Sequence, residues 1–446
     1  MIMVLFSGLS ALNDHNRVAL GYLIKIDDNF HVDGQLPFFD LMGRQGHNDH
    51  NNAPRVTIFE DPAVHNFQYS NPTRVCFGEG QIASLPELIP ADSRVLVLYG
   101  GGSIKHNGVY DQLVAALAGR DWQEFSGIGA NPQYDQLMEA VALVKREGID
   151  FLLAVGGGSV VDGTKFVAAA ACYQGEDPWD ILKSGAPFER ALPLGCVLTL
   201  PATGSESNPA AVVSRGDAKL SFYNPLVLPQ FAVLDPTTTY SLPPRQVGNG
   251  VVDAFVHILE QYLTFPVGGD VQDRLAEGLL QVLIDNGPLA LSEPQNYQVR
   301  ANIMWAASLA LNGLIGRGVP HDWSSHAIGH QLTALYGLDH AQSLAVVLPS
   351  LLREQSAQKQ EKLCQYAKRV WQASREDKAL RIEEAIIRTE QFFQQMGVGT
   401  RLSDYSLNES CIPAICSNLK RFELTALGEH QDIDPDKVAR ILSHAL

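Results

Sequence analysis

Asp150-Phe-Leu-Leu-Ala-Val155, running directly into Gly156-Gly157-Gly158-Ser159 and then Val160-Val161-Asp162, is the stretch whose reading decides the fold. Six residues with almost no polar character read as a strand buried on both faces, which is what a parallel sheet requires. The glycines end the strand. The apolar spacing beyond them (Val160, Val161, Thr164, Phe166, Ala168–Ala171) is helical. A strand, a glycine turn and a helix in that order form the unit that brings backbone amides and a helix N-terminus up to a phosphate group. The pattern is not G-x-G-x-x-G, so the usual dinucleotide fingerprint is absent, and the turn alone leaves ligand binding open.

The same arrangement recurs upstream. Arg94-Val-Leu-Val-Leu-Tyr99 is a second apolar run, ended by Gly100-Gly101-Gly102-Ser103 and followed by helical periodicity through Val109–Ala118. Asn131-Pro-Gln-Tyr-Asp135 is expected to open a further helix with Pro132 in its first turn. Cys196-Val-Leu-Thr-Leu200 and Gln230-Phe-Ala-Val-Leu-Asp235 are further strands. The first of these ends in Thr199-Leu-Pro-Ala-Thr203-Gly-Ser-Glu206, whose hydroxyls would sit at the carboxyl edge of the sheet. Open α/β folds bind ligands at that edge. Alternation of this kind predicts a Rossmann-like α/β layer with a parallel sheet.

Beyond Asp235-Pro236 the strand signal stops, and amphipathic helices are expected over 250–264, 270–286, 296–315, 321–336, 342–354, 358–373 and 380–396. The expected organisation is an extension over 1–64, an α/β nucleotide-binding domain over 65–242 and an all-α domain over 243–446. Residues 1–64 are loop-rich and polar after an apolar start. No basic residue precedes that start and no clear cleavage site follows it, so it does not read as a secretory signal. His47 and His50 are read as part of a solvated polar run.

The helical half carries Asp253 and His257 four apart, His326 and His330 four apart, and His340 after Gly337. Four-residue spacing puts each pair on one helix face. One carboxylate and several imidazoles that converge make a divalent-metal site. There are five candidates for four tetrahedral positions, and one left over could handle protons.

Composition narrows the partners. The formal charge of −16 over 446 residues argues against nucleic acid or an anionic membrane. No apolar run reaches the ~20 residues of a spanning helix. Six scattered cysteines without a C-x-x-C pair fit a reducing cytoplasm. Around Gly100–Lys105 there is no acid, only Ser103 and Lys105, which favours the 2′-phosphate of NADP(H) over NAD.

Taken together, Gly250-Val-Val-Asp253-Ala-Phe-Val-His257, the His326/His330/His340 run, Gly156-Gly-Gly-Ser-Val-Val-Asp162 and Thr199-Leu-Pro-Ala-Thr-Gly-Ser-Glu206 resemble the iron-containing (group III) alcohol dehydrogenases over roughly residues 65–446. Tyr99-Gly-Gly-Gly-Ser103 and Val233-Leu-Asp-Pro236 draw the likeness toward the NADPH-dependent aldehyde reductase and butanol dehydrogenase branch. Residues 1–64 match nothing in the family pattern. The resemblance implies a dehydroquinate synthase-like architecture with the site in the cleft between a nucleotide-binding and a helical domain. It implies metal ligands Asp253, His257, His326 and His340, binding iron(II) or zinc. By the same likeness His330 is expected beside the site and not as a ligand, which makes it the candidate catalytic proton relay. Cofactor contacts are implied at Gly101, Gly102, Ser103, Gly157, Gly158, Ser159, Asp162, Thr199, Thr203 and Lys219. A homodimer is also implied.

The expected chemistry is NADPH-dependent reduction of an aldehyde to a primary alcohol, with the metal polarising the carbonyl and hydride coming from the nicotinamide. The alternatives are a dehydroquinate synthase-like or glycerol dehydrogenase-like enzyme using NAD and metal. The apolar window Trp305, Leu309, Leu311, Leu314, Ile328 and Leu332 argues against a polyanionic substrate.

Overall fold

The computed structural model describes residues 63–446. The apolar start, His47, His50 and all but the last two residues of the expected extension lie outside the described residues. Strands are β1 (Arg74–Phe77), β2 (Val95–Tyr99), β3 (Trp122–Phe125), β4 (Phe151–Gly157), β5 (Leu194–Leu200), β6 (Ala210–Arg215), β7 (Ala218–Tyr223) and β8 (Phe231–Leu234). The helices of the first half are α1 (Leu85–Leu88), α2 (Val109–Ala116), α3 (Tyr134–Glu147), α4 (Gly158–Cys172) and α5 (Asp180–Lys183). After β8 come α6 (Pro244–Tyr262), α7 (Asp270–Ser292), α8 (Tyr297–Leu311), α9 (Ser324–Tyr336), α10 (His340–Glu354), α11 (Gln360–Arg369), α12 (Lys378–Gln395), α13 (Ile412–Arg421) and α14 (Pro435–His444).

Six strands form one sheet in the order β1-β8-β5-β4-β2-β3, every pairing parallel. From β4 the order continues through β5 and β8 on one side and through β2 on the other, so the topological switch point lies between β2 and β4. Successive residues of these strands serve different cores. Leu96, Leu98, Leu152 and Ala154 join α3 and α4 on one face. Val95, Val97, Phe151 and Leu153 join Ile82, Leu85 and Leu113 on the other. Burial on both faces explains why β2 and β4 carry no polar residue. The helical half has a core of its own, built around Phe255, Leu259, Leu280, Leu344 and Phe393. Among the described residues no helix is long and apolar enough to cross a membrane.

The α/β layer and the helical half are as the sequence leads one to expect, with three local differences. The sheet has two more strands, β1 and β3, which lie at its two edges. Helix α3 begins at Tyr134, so Pro132 precedes it, and Asn131 sits at φ 57°. The segment around Arg215–Lys219 is the turn of an antiparallel hairpin, β6–β7, with Ala210 opposite Tyr223 and Arg215 opposite Ala218. Gly216 takes φ 61° at that turn, a left-handed conformation that suits glycine.

Candidate active site

The switch point opens into a cleft of about 800 Å3 that also reaches α6, α9 and α10. One wall is glycine. The turn after β2 contributes Gly100–Ser103, and the turn after β4 contributes Gly156–Ser159. Helix α4 starts at Gly158 with no side chain capping its first turn, so its leading amides are available to a ligand. A Cβ on Gly158 would fall 2.3 Å from Thr203 Oγ1, and one on Gly157 would fall 3.0 Å from Leu200 Cβ. Side chains are therefore excluded where strand end, helix start and the Thr203 loop meet.

The other wall is made of side chains. Asp253 and His257 lie one turn apart on α6, His326 lies in the first turn of α9, and His340 is the first residue of α10. Each offers one ligand atom, and these atoms all lie within 4.8 Å of one another. Asp253 Oδ1 is 3.8 Å from His257 Nδ1 and 3.5 Å from His340 Nε2. Four buried atoms of this cluster, Asp253 Oδ1, His257 Nδ1, His326 Nε2 and His340 Nδ1, have no hydrogen-bond partner. Unmet buried polar atoms cost about 1–3 kcal/mol each. Asp253 Oδ1, His257 Nδ1 and His326 Nε2, together with the His340 Nε2 that faces Asp253 Oδ1, fit a divalent cation, which would satisfy them together.

The electrostatics agree with that fit. Burial pushes the His326 imidazole down to about 3, with the Lys219 charge acting in the same direction. Burial also lowers His257 and His340 well below the ordinary range. All three are thus neutral, the form in which a ring nitrogen donates to a metal. Burial pushes the Asp253 carboxyl up to about 7 against the opposing pull of Lys219. A cation among these atoms would add to the Lys219 charge in holding this carboxyl ionised.

His330 lines the same cleft outside the four-residue cluster. Its ring centroid is 6.3 Å from that of His326 and 5.4 Å from that of His340. Ser103, Ser159, Thr199 and Thr203 also line the cleft. Asp162 lines it with both oxygens engaged, accepting from Ser205 Oγ at 2.6 Å and from the Val212 amide at 3.1 Å. Lys219 projects from β7, and its ammonium is pushed down to about 8 by burial while Asp253 and Asp162 hold it up.

Lys105 and the apolar window lie elsewhere than the sequence leads one to expect. Lys105 does not line the cleft; its ammonium pairs with Glu124 at 2.9 Å, so Ser103 is left as the side-chain donor of that turn. Of the apolar window, only Leu311 faces the cleft. Ile328 and Leu332 belong to the helical core, and Trp305 packs edge-on against Phe77. The case against a polyanionic substrate rests instead on the scarcity of cations: Lys219 and Arg245 are the lysine and arginine side chains among the lining residues, and Arg245 is paired with Asp339 at 2.6 Å.

Glu260 escaped the sequence reading. Its Oε2 meets His326 Nδ1, and its Oε1 accepts from the Ser325 amide at 2.7 Å. The signal was present, since Glu260 is an acid three residues past His257 within the apolar run Ile258-Leu259 of the same helix.

A parallel sheet with glycine turns at its switch point, facing an Asp/His₃ cluster on helices, fits a nucleotide- and metal-dependent enzyme. The sequence profile described as iron-containing alcohol dehydrogenase matches residues 72–236, and that of the Fe-containing alcohol dehydrogenase C-terminal region matches residues 248–446. The chain belongs to the iron-containing alcohol dehydrogenase family. It is 57% identical over 387 residues to the NADPH-dependent aldehyde reductase YqhD of Escherichia coli (strain K12), covering 86% of this chain and 100% of that protein. The crystal structure of E. coli K-12 YqhD is similar with a TM-score of 0.85 at 56% identity, over 86% of this chain and 100% of that one. The NADH-dependent butanol dehydrogenase A of Thermotoga maritima is similar with a TM-score of 0.82 at 35% identity, over 86% and 99%.

Proposed function

We propose that this protein reduces aldehydes to primary alcohols with NADPH, and can run the reaction in reverse as an alcohol dehydrogenase. The observation that carries this reading is one cleft in which glycine turns at a sheet switch point face the four side chains of a metal-ligand cluster. The relative called an NADPH-dependent aldehyde reductase supports it.

Asp253, His257, His326 and His340 would hold the divalent ion. The set contains no thiolate, so iron(II) and zinc both suit it. Gly101, Gly102, Ser103, Gly157, Gly158, Ser159, Thr199 and Thr203 would line the cofactor, with Lys219 at its nicotinamide end. Asp162 acts there by fixing Ser205 and the hairpin. When bound, the ion supplies Lewis acidity at a carbonyl oxygen and the reduced nicotinamide supplies hydride. The glycine wall would let a pyrophosphate approach the amides of α4. Burial keeps the imidazoles neutral, so each can present one unprotonated ring nitrogen. His330, beside the cluster and outside it, would pass the proton that the product oxygen takes up. We place the boundary between the 65–242 and 243–446 domains at Leu242-Pro-Pro-Arg245. We read the enzyme as a cytoplasmic homodimer, which family likeness and six unbridged cysteines support.

The test follows NADPH oxidation with butanal before and after chelation. Activity should vanish on chelation and return with iron(II) or zinc. Absence of turnover across a panel of aldehydes would overturn the reading.

A further inference from the structure

Glu260 sits between α6 and α9 and touches neither the cleft nor a substrate position. It is 3% exposed. Each carboxylate oxygen has a different partner: Oε1 accepts from the Ser325 amide at 2.7 Å, and Oε2 lies against His326 Nδ1. The Asp322 amide also donates to the Glu260 carbonyl at 2.9 Å, so the entry to α9 is tied to α6 at this one residue. The opposite ring nitrogen, His326 Nε2, is the unpartnered atom of the cluster.

We infer that Glu260 is the positioning residue that fixes the His326 tautomer, holding the proton on Nδ1 so that Nε2 presents a lone pair to the metal. This rests on the metal-site reading above. The chemistry requires a carboxylate, not merely a polar side chain. A backbone N–H can only donate, so one oxygen is committed to Ser325. A glutamine would turn its single oxygen there and point its NH2 at Nδ1. His326 would then have to accept at Nδ1 and carry its proton on Nε2, which blocks the ligand position. A carboxylate behind a metal-bound histidine also raises its basicity, and removing such a partner typically costs about 10–100-fold in metal affinity.

The experiment uses the full-length protein and Glu260→Gln, with zinc affinity from chelator competition and NADPH affinity from tryptophan quenching. The expected result is zinc affinity weaker by about 10–100-fold, with NADPH affinity kept, because the glycine wall lies elsewhere. Unchanged zinc affinity in the variant overturns the inference alone. Absence of zinc binding by the wild type overturns the metal-site reading and this inference with it. If the variant loses NADPH binding too, nitrogen NMR of labelled histidine in the zinc-loaded wild type decides. A proton on His326 Nδ1 supports the inference, and an unprotonated Nδ1 overturns it.

Discussion

The two walls of the cleft are built on opposite principles. The sheet side is made by leaving side chains out: glycines, a bare helix start and open space beyond Gly101. The helix side is made by putting polar side chains where water is scarce, with atoms that a cation would satisfy. The first wall fails when atoms are added, and the second when atoms are removed. The side-chain wall also needs support from behind, as at His326, whereas the glycine wall draws on backbone amides already placed by the fold.

The largest expected break of this contrast is His257→Ala. Loss of a ligand should release the metal and lower kcat/KM by on the order of a thousandfold or more, since Lewis-acid catalysis supplies several kcal/mol; metal content and NADPH affinity, measured together, should show the first lost and the second kept. His330→Ala sharpens the helix side internally. It should keep its metal and lose about a hundredfold or more in kcat, the usual range for a proton-transfer group; loss of metal would make His330 a ligand. Gly158→Ala tests the other wall by addition. The new methyl must displace Thr203, at about 1–3 kcal/mol, read as weaker NADPH binding with metal content unchanged. Gly101→Asp should be the mildest. Its Cβ meets no neighbouring atom, so the fold is kept while the NADPH-to-NADH ratio of kcat/KM drops by about tenfold, the equivalent of about 1.4 kcal/mol of charge repulsion. Gly102 would be a poorer choice, because its φ of 95° strains any other residue.

What the sequence revealed follows from burial. The inner strands β2, β4, β5 and β8 are enclosed on both faces and announce themselves as apolar runs. The edge strands β1 and β3 read Arg74-Val-Cys-Phe77 and Trp122-Gln-Glu-Phe125, and neither resembles a core strand because each has one neighbour and partial exposure. The hairpin was legible in principle. Gly216-Asp217 between two six-residue strands is a turn signal, but it lies in a stretch whose alternation is weak. The ligand cluster could be read because i, i+4 spacing survives in one dimension. Glu260 could not be paired with His326 from spacing, since 66 residues separate them. Lys105 misled for the reverse reason, because its nearness in sequence to the glycine turn hid its tie to Glu124.

The β6–β7 hairpin has a mechanical consequence. Its first strand is held to α4 through the Val212 amide on Asp162. Its tip is held to the helical half, where Asn418 donates to the Asp217 carbonyl at 3.4 Å and to Gln331 Oε1 at 2.7 Å, and Arg421 pairs with Asp217. A stiff ribbon fastened at both ends is a strut. It ties the α4 side of the cleft to the α9 and α13 side through a single hairpin.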